Sequence, residues 1–249
     1  MREYEEITIS HVESLISEVP PLRGAHQSNY YRGHADGGWE INPSLFRMDL
    51  EKTNHQSWLD VANSNNLRFK QLAPSDVRSH MASELEWTAT ACHHHAPTNF
   101  TAWSEAALVG LYFATEETKD EADGALWRLM PGTDEFTIFQ DYEQVPDAPR
   151  FYHPQYRTEE MMAQRVCFLT HPFPDSNMPP VSFENRYNTS DDPMNLCKIT
   201  IPHFAKRDIR RQIAALGFDS RNIFPGLKGI GRQIAEDIYT NSDSYNWIM

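Results

Sequence analysis

The stretch Asn195-Leu196-Cys197-Lys198-Ile199-Thr200-Ile201-Pro202-His203-Phe204-Ala205-Lys206-Arg207-Asp208-Ile209-Arg210-Arg211-Gln212-Ile213-Ala214-Ala215-Leu216-Gly217 carries two periodicities in succession. Cys197, Ile199 and Ile201 fall on one side and Lys198 and Thr200 on the other, the period of two of a half-buried strand. Residues 204–216 then change to the helical period, and Gly217 stands where a left-handed residue closes a helix. Working outward, residues 125–130, 136–139 and 165–170 read as strands, the first two divided by Pro131-Gly132. Asn29-Tyr30-Tyr31-Arg32-Gly33 reads as an aromatic strand end stopped by glycine. Residues 34–38 form a turn, and residues 42–47 a short helix or turn.

Helices are expected at 10–19, where Ser10 and Glu13 make a capping box, at 57–72, at 81–93, at 157–163, and in a short segment after Pro225-Gly226. The run Asn63-Ser64-Asn65-Asn66 threatens to interrupt the second of these. Residues 104–115 give the clearest helical pattern, with Leu108, Leu111 and Tyr112 recurring and Ser104 in the N-cap position. Residues 170–192, rich in Pro, Asn and Ser, form a long loop. Strands and helices are interspersed without strict alternation, which predicts an α+β fold.

The chain has 249 residues, 40% of them hydrophobic and 12% aromatic, ample for a buried core and too apolar for a disordered chain. No apolar run approaches the roughly 20 residues that span a bilayer. The acidic start, Met1-Arg2-Glu3-Tyr4-Glu5-Glu6, lacks the apolar stretch of a signal peptide. A cytoplasmic protein with no membrane partner is expected. Cys92, Cys167 and Cys197 cannot all pair and show no CxxC spacing, which argues against a disulfide scaffold or a cysteine-rich zinc module. His93-His94-His95 cannot turn three rings toward one ion on a helix, and HExxH is absent, so no metal is expected. Gly229-Ile230-Gly231 lacks the third glycine of a dinucleotide fingerprint, and no P-loop or GxSxG is present.

Charge is unevenly distributed. Lys and Arg total 22 against 35 Asp and Glu, a net −13. Between residues 198 and 232, eight basic residues face only Asp208 and Asp219, a net +6 that leaves −19 for the rest. Lys206, Arg207, Arg210 and Arg211 could form a face for a phosphate chain, or the stretch could dock on the protein's own acidic bulk.

Three motifs occur in order. The first is Tyr30-Tyr31-Arg32-Gly33 with Asn42-Pro43-Ser44-Leu45-Phe46-Arg47 close behind. The second is Cys92-His93-His94-His95-Ala96-Pro97-Thr98-Asn99-Phe100-Thr101-Ala102-Trp103-Ser104, running into Ala107-Leu108-Val109-Gly110-Leu111-Tyr112-Phe113-Ala114. The third is Ala163-Gln164-Arg165-Val166-Cys167-Phe168. Together they resemble the FRG domain family over roughly residues 28–230, which implies one domain across 1–249 with 1–27 as an N-terminal helical extension. Cys92 stands where that family has Gln, His95 where it has Gly, Ala102 where it often has Asp, and Val166-Cys167 replaces its later glycine region.

FRG proteins resemble ADP-ribosyltransferases in motif order. The resemblance implies central mixed or antiparallel sheets in an ADP-ribosyltransferase-like arrangement with flanking helices, and NAD as substrate without a metal. It places Arg32 on the pyrophosphate, which a guanidinium binds bidentately. Tyr31, Gly33, His93, Thr98, Asn99, Phe100, Ser104 and Tyr112 are then the expected NAD contacts, with Phe100 or Tyr112 stacking on nicotinamide and Phe113 in the core. Gln164 or Glu160 would steady the oxocarbenium character that builds at the ribose. Each has a plainer alternative: a strand-end ion pair for Arg32, a helix cap for Ser104, a surface amide for Gln164. The expected activity is a toxin-like ADP-ribosyltransferase of antiviral defence or a toxin–antitoxin pair. A nucleic acid, RNA ahead of single-stranded DNA, would be its acceptor, with protein side chains as the other possibility, and an antitoxin or chaperone would restrain it. The rival expectation is a nucleotide- or protein-binding module without transfer activity. A nuclease ranks last, for want of paired carboxylates at metal-binding spacing.

Overall fold

The computed structural model describes residues 4–19, 29–117, 121–131, 137–138, 148–186 and 194–240. Its strands are β1 (Glu5–Thr8), β2 (Tyr30–His34), β3 (Phe100–Ser104), β4 (Gly124–Pro131), β5 (Thr137–Ile138), β6 (Arg150–Tyr152), β7 (Val166–Thr170) and β8 (Met194–Ile201). They form one sheet in the order β1-β8-β4-β2-β3-β7-β6-β5. The five inner pairings are antiparallel, and the two outer ones, β1 with β8 and β5 with β6, are parallel. The helices are α1 (Val12–Glu18), α2 (Trp58–Leu72), α3 (Ser75–His80), α4 (Glu84–His93), α5 (Ala107–Ala114), α6 (Glu159–Ala163), α7 (Phe183–Arg186), α8 (His203–Ala215), α9 (Ser220–Ile223) and α10 (Leu227–Thr240). The fold is α+β, with strands and helices interspersed as their periodicities require.

The period of two sorts the sheet's side chains onto two faces. Tyr31, Leu126, Cys197, Ile199 and Ile201 pack beneath Leu15 of α1, Leu111 and Tyr112 of α5, and Ile209 and Ile213 of α8. Tyr30, Trp103, Trp127, Leu129 and Leu169 face the other way, with Phe151 and Phe183. A third cluster joins Leu85 and Ala89 of α4 to Phe100, Phe168 and Met161. A fourth seats Trp58 and Val61 of α2 on Leu45 and Phe46, which lie in a 3₁₀ turn.

One feature of the register positions the site. β2 pairs with β4 over five residues and β3 with β7 over five, but β2 meets β3 only at Tyr31 opposite Ser104. The sheet is therefore two half-sheets, β1-β8-β4-β2 and β3-β7-β6-β5, joined by a single rung.

Several local expectations are corrected by tertiary partners. Ser10 and Glu13 form no capping box: α1 starts after His11, and the Val12 N–H donates to Gln212 Oε1 of α8 at 3.0 Å. α2 runs unbroken through its asparagines because their amides project outward, Asn65 Nδ2 to Pro97 O at 3.2 Å and Asn66 Nδ2 to Glu84 Oε2 at 3.0 Å. Ser104 ends β3, and the N-cap of α5 is Ala106. The segment before residue 27 adds the strand β1 to its helix, α7 interrupts the expected long loop, and α10 runs for 14 residues where a short helix was expected. Of the strand expected at 136–139, Thr137 and Ile138 lie within the described residues.

Gly33 does not stop a strand. It lies within β2, where the backbone of α5 takes the space of a side chain: a Cβ there would sit 2.0 Å from Gly110 O and 2.5 Å from Ala114 N. Gly33→Ala must push α5 off the sheet, and overpacking of this kind costs about 1–3 kcal/mol. The melting temperature should fall by about 2–12 °C. An unchanged melting temperature would show that α5 does not bear on β2 as described.

Candidate functional site

Where the half-sheets diverge, a cleft of about 490 Å³ opens between β2, β3, α5, α6 and the start of α10. Arg32 sits at its floor. Its Nη1 reaches across the seam to Ala102 O of β3 at 2.6 Å, and its Nε donates to His34 Nε2 at 2.9 Å. That bond fixes the imidazole: Nε2 accepts, so Nδ1 carries the proton and donates to Trp39 O at 3.1 Å. Burial, and after it the Arg32 charge, lowers the His34 pKa to about 3. Burial brings Arg32 itself down to about 10, so it stays cationic at neutral pH, and Arg47 contributes to that lowering from nearby. Neither guanidinium has a carboxylate partner among the described residues. Two unpaired cations in a partly enclosed site favour an anionic ligand.

The opposite wall carries the acids. Glu160 of α6 accepts from Lys228 Nζ through both oxygens, at 2.9 and 3.0 Å, and from Gln164 Nε2 at 3.2 Å. Gln164 also donates to Ile223 O at 3.2 Å. Ser104 Oγ ties this wall to the seam, donating to Gln164 O at 2.7 Å and accepting from the Ala106 N–H at 3.0 Å. His93 Nε2 lies 3.8 Å from Glu160 Oε1 without a hydrogen bond, and burial lowers its pKa to about 4 despite that carboxylate. Glu116 pairs with Arg232, and Lys228 and Arg232 both stand over the Phe224 ring, at 4.7 and 4.3 Å. The Cys92 thiol, pushed up to about 11 by burial, is protonated at neutral pH and supplies no nucleophile.

Residues 27–123 match the FRG domain family. The matched segment ends at residue 123, short of the resemblance expected from the motifs; it holds Arg32, Arg47, β3, α5 and Glu116, while Glu160, Gln164 and Lys228 come from the chain after it. No curated protein and no solved structure matches the chain. His95 stands at φ 64, a left-handed conformation that glycine adopts freely and in which a side chain is strained. That is the position at which the FRG pattern carries glycine.

Of the residues singled out from the sequence, Tyr31, Arg32, Gly33, His93, Phe100, Ser104, Glu160 and Gln164 border this one cleft. Thr98 and Asn99 do not: they face a second hollow of about 430 Å³ against α2 and α4, where Asn99 Nδ2 donates to His171 O at 2.7 Å. Tyr112 does not either. Its hydroxyl bonds Ser220 Oγ at 2.5 Å and Glu236 Oε1 at 2.7 Å, and the Arg210 guanidinium lies 3.6 Å from its ring centre. Its neighbour Phe113, expected in the core, is the ring that lines the cleft. Lys206, Arg207, Arg210 and Arg211 do not share an exposed face. Lys206 is fully buried, donating to Ala35 O at 2.6 Å and Glu116 O at 3.1 Å, and Arg210 is buried beside Glu236, while Arg207 and Arg211 are exposed. Their register along α8 divides them: the inward positions meet the sheet and α10. Arg47, Lys228 and Arg232 line the cleft without having been singled out. Arg47 was legible as the last residue of the Pro-Ser-Leu-aromatic-Arg motif. Among the described residues, no group of three His, Cys, Asp or Glu side chains could hold a metal ion, and no helix is long and apolar enough to cross a membrane.

His34, His93 and His171 are neutral in the folded protein, with pKa values near 3, 4 and 3. An unfolded imidazole titrates near 6.5. Folding then excludes protons that the unfolded chain binds, so the stability these residues confer is complete above about pH 6.5 and is lost as pH falls toward 4. Glutamine at position 34 can donate to Trp39 O and accept from Arg32 without titrating. In urea unfolding between about pH 6 and 4, His34→Gln should reduce the pH slope of the unfolding free energy by about one proton. An identical slope in the two proteins would contradict the neutral imidazole.

Proposed function

We propose that the cleft binds NAD and that the protein is an NAD-dependent ADP-ribosyltransferase. The observation that carries this reading is Arg32, a guanidinium held across the seam by Ala102 O and His34 with no acid to neutralise it. A pyrophosphate offers it a bidentate partner, and Arg47 supplies a second positive charge to the same anion. The cleft volume falls within the range of about 300–1,000 Å³ common to ligand sites. Phe113, Trp103 and Phe224 offer aromatic surface for nicotinamide.

In the reaction, the bond between the nicotinamide nitrogen and ribose C1′ breaks, and nicotinamide leaves with the electron pair. The acceptor nucleophile adds to C1′ and releases its proton. In this reading Glu160, with Gln164 beside it, steadies the positive charge at the ribose. The neutral His93 imidazole is a base able to take the acceptor's proton. Glu160 must first exchange its Lys228 partner, and this pairing, together with Ala102 in place of the family's frequent Asp, favours a second reading: a nucleotide-binding module without transfer.

A nucleic-acid acceptor draws no support from Lys206 and Arg210, which are internal; protein side chains remain an equal target class within the proposal. A toxin-like role in antiviral defence or a toxin–antitoxin pair, with an antitoxin or chaperone to restrain the protein, belongs to the same proposal. The test incubates the protein with NAD labelled in the ADP-ribose and with RNA, single-stranded DNA and protein acceptors in parallel. Label should appear on one acceptor class, and Arg32→Ala should reduce it by about 10²–10³-fold with an unchanged circular dichroism spectrum. NAD binding without label supports the module, and absence of NAD binding overturns both readings.

A further inference from the structure

The His93 imidazole is isolated among groups that are paired. Its side chain is only 5% exposed, it borders the cleft, and Nε2 is buried without a hydrogen bond. A buried polar atom left unpaired is costly and calls for a cause. Here the cause is adjacent. Glu160 Oε1 lies 3.8 Å from Nε2, but it already accepts from Lys228 Nζ at 2.9 Å and from Gln164 Nε2 at 3.2 Å. Those two bonds take both lone pairs of that oxygen. Gln164 is fixed, its amide also bonded to Ile223 O at 3.2 Å and its carbonyl held by Ser104 Oγ at 2.7 Å. Lys228 is the partner that can move: its ammonium rides on a flexible stem, its side chain is half exposed, and it lines the cleft that holds Arg32 and Arg47.

We propose that Lys228 is a third ligand for the phosphate-bearing anion that Arg32 and Arg47 attract, and that its move to that anion hands Glu160 to His93. The inference rests on the anion site of the proposed function and adds its regulation. With Lys228 on Glu160, His93 has no acceptor. When a pyrophosphate group enters, the ammonium exchanges the carboxylate for phosphate oxygens, and the lone pair it vacates on Oε1 accepts the Nε2–H of His93. The 3.8 Å separation must shorten by about 0.9 Å to make that bond. The charges facing His93 give the direction of the change. Glu160 of α6 favours the protonated imidazole, while Lys228 of α10 and the adjoining His94 and His95 disfavour it, and burial outweighs them all. Withdrawing Lys228 removes an opposing charge and frees the supporting one, so the proton affinity of His93 rises. A proton held on Nε2 by Glu160 leaves Nδ1 as the basic atom. The ligand thereby prepares the base that its own reaction uses.

The test uses the full chain with isotope-labelled histidine, nuclear magnetic resonance of the ring nitrogens, and inorganic pyrophosphate as the probe, its binding followed by calorimetry. The chain has 11 histidines, and His93→Gln identifies the signal of residue 93 by its loss. Without pyrophosphate, His93 should stay neutral down to about pH 5, above its midpoint of about 4. Saturating pyrophosphate should raise that midpoint by about one pH unit or more and bring out a hydrogen-bonded Nε2–H resonance. Lys228→Met, which keeps an apolar stem beside the Phe224 ring, should show the same His93 signature with no pyrophosphate added. Lys228→Arg, which retains the charge, should behave as wild type. The ligand's own charge also favours a protonated imidazole, so Glu160→Gln separates the two effects: it should lose most of the rise. Bound pyrophosphate with an unchanged His93 overturns the exchange and leaves the anion site standing. So does a folded Lys228→Met protein whose His93 matches wild type. Pyrophosphate that does not bind overturns this inference together with the NAD reading.

Discussion

A single rung of register, Tyr31 opposite Ser104, joins two half-sheets that each pair fully within themselves. Strands that diverge leave backbone groups without ladder partners, and a buried carbonyl so released must find a donor. Arg32 supplies one for Ala102 O. The same side chain that closes the gap in hydrogen bonding turns the rest of its guanidinium to the cleft. Arg32 therefore has two roles, a hydrogen bond across the seam to Ala102 O and a positive charge facing the cleft.

Rigidity around that rung comes from both sides. α5 lies so close on β2 that Gly33 and Gly110 have no room for side chains; a Cβ on Gly110 would meet Leu126 Cδ1 at 2.6 Å and Tyr31 Cβ at 2.9 Å. On the far wall, Ser104 Oγ binds the carbonyl of Gln164, so β3 and the end of α6 move together. His34 is the third constraint. Its proton sits on Nδ1 because Nε2 must receive Arg32, and this orients the guanidinium plane. A site assembled from the junctions of several elements holds its geometry better than one carried on a loop.

What the sequence disclosed follows from where its signals lie. The alternation of 195–201 and the helical period of 204–216 are local, and β8 and α8 appear where those periods place them. The motifs that resemble the FRG family brought Arg32, Ser104 and Gln164 to one cleft, because they record a three-dimensional arrangement in linear order. Partners that lie far apart in the chain left no local trace. The basic run from 198 to 232 reads as one charged face when charges are counted. In the fold, Lys206 passes inward to two carbonyls, Lys228 to Glu160 and Arg232 to Glu116. Tyr112 and Phe113 exchange their expected places for the same reason: the Tyr112 hydroxyl is satisfied by Ser220 and Glu236, over a hundred positions away. The capping box at Ser10 lost to a glutamine on another helix.

The inward turn of these cations has an electrostatic consequence. With Lys206, Lys228 and Arg232 taken up by carbonyls and carboxylates of the chain, a protein of net −13 has an excess of acidic groups in the shell around a cleft that holds Arg32 and the more exposed Arg47. At physiological ionic strength the shell's field fades within about 8 Å. A short anion approaching the two guanidiniums would have one such layer to cross, whereas a polyanion would lie along a surface rich in carboxylates that repel it.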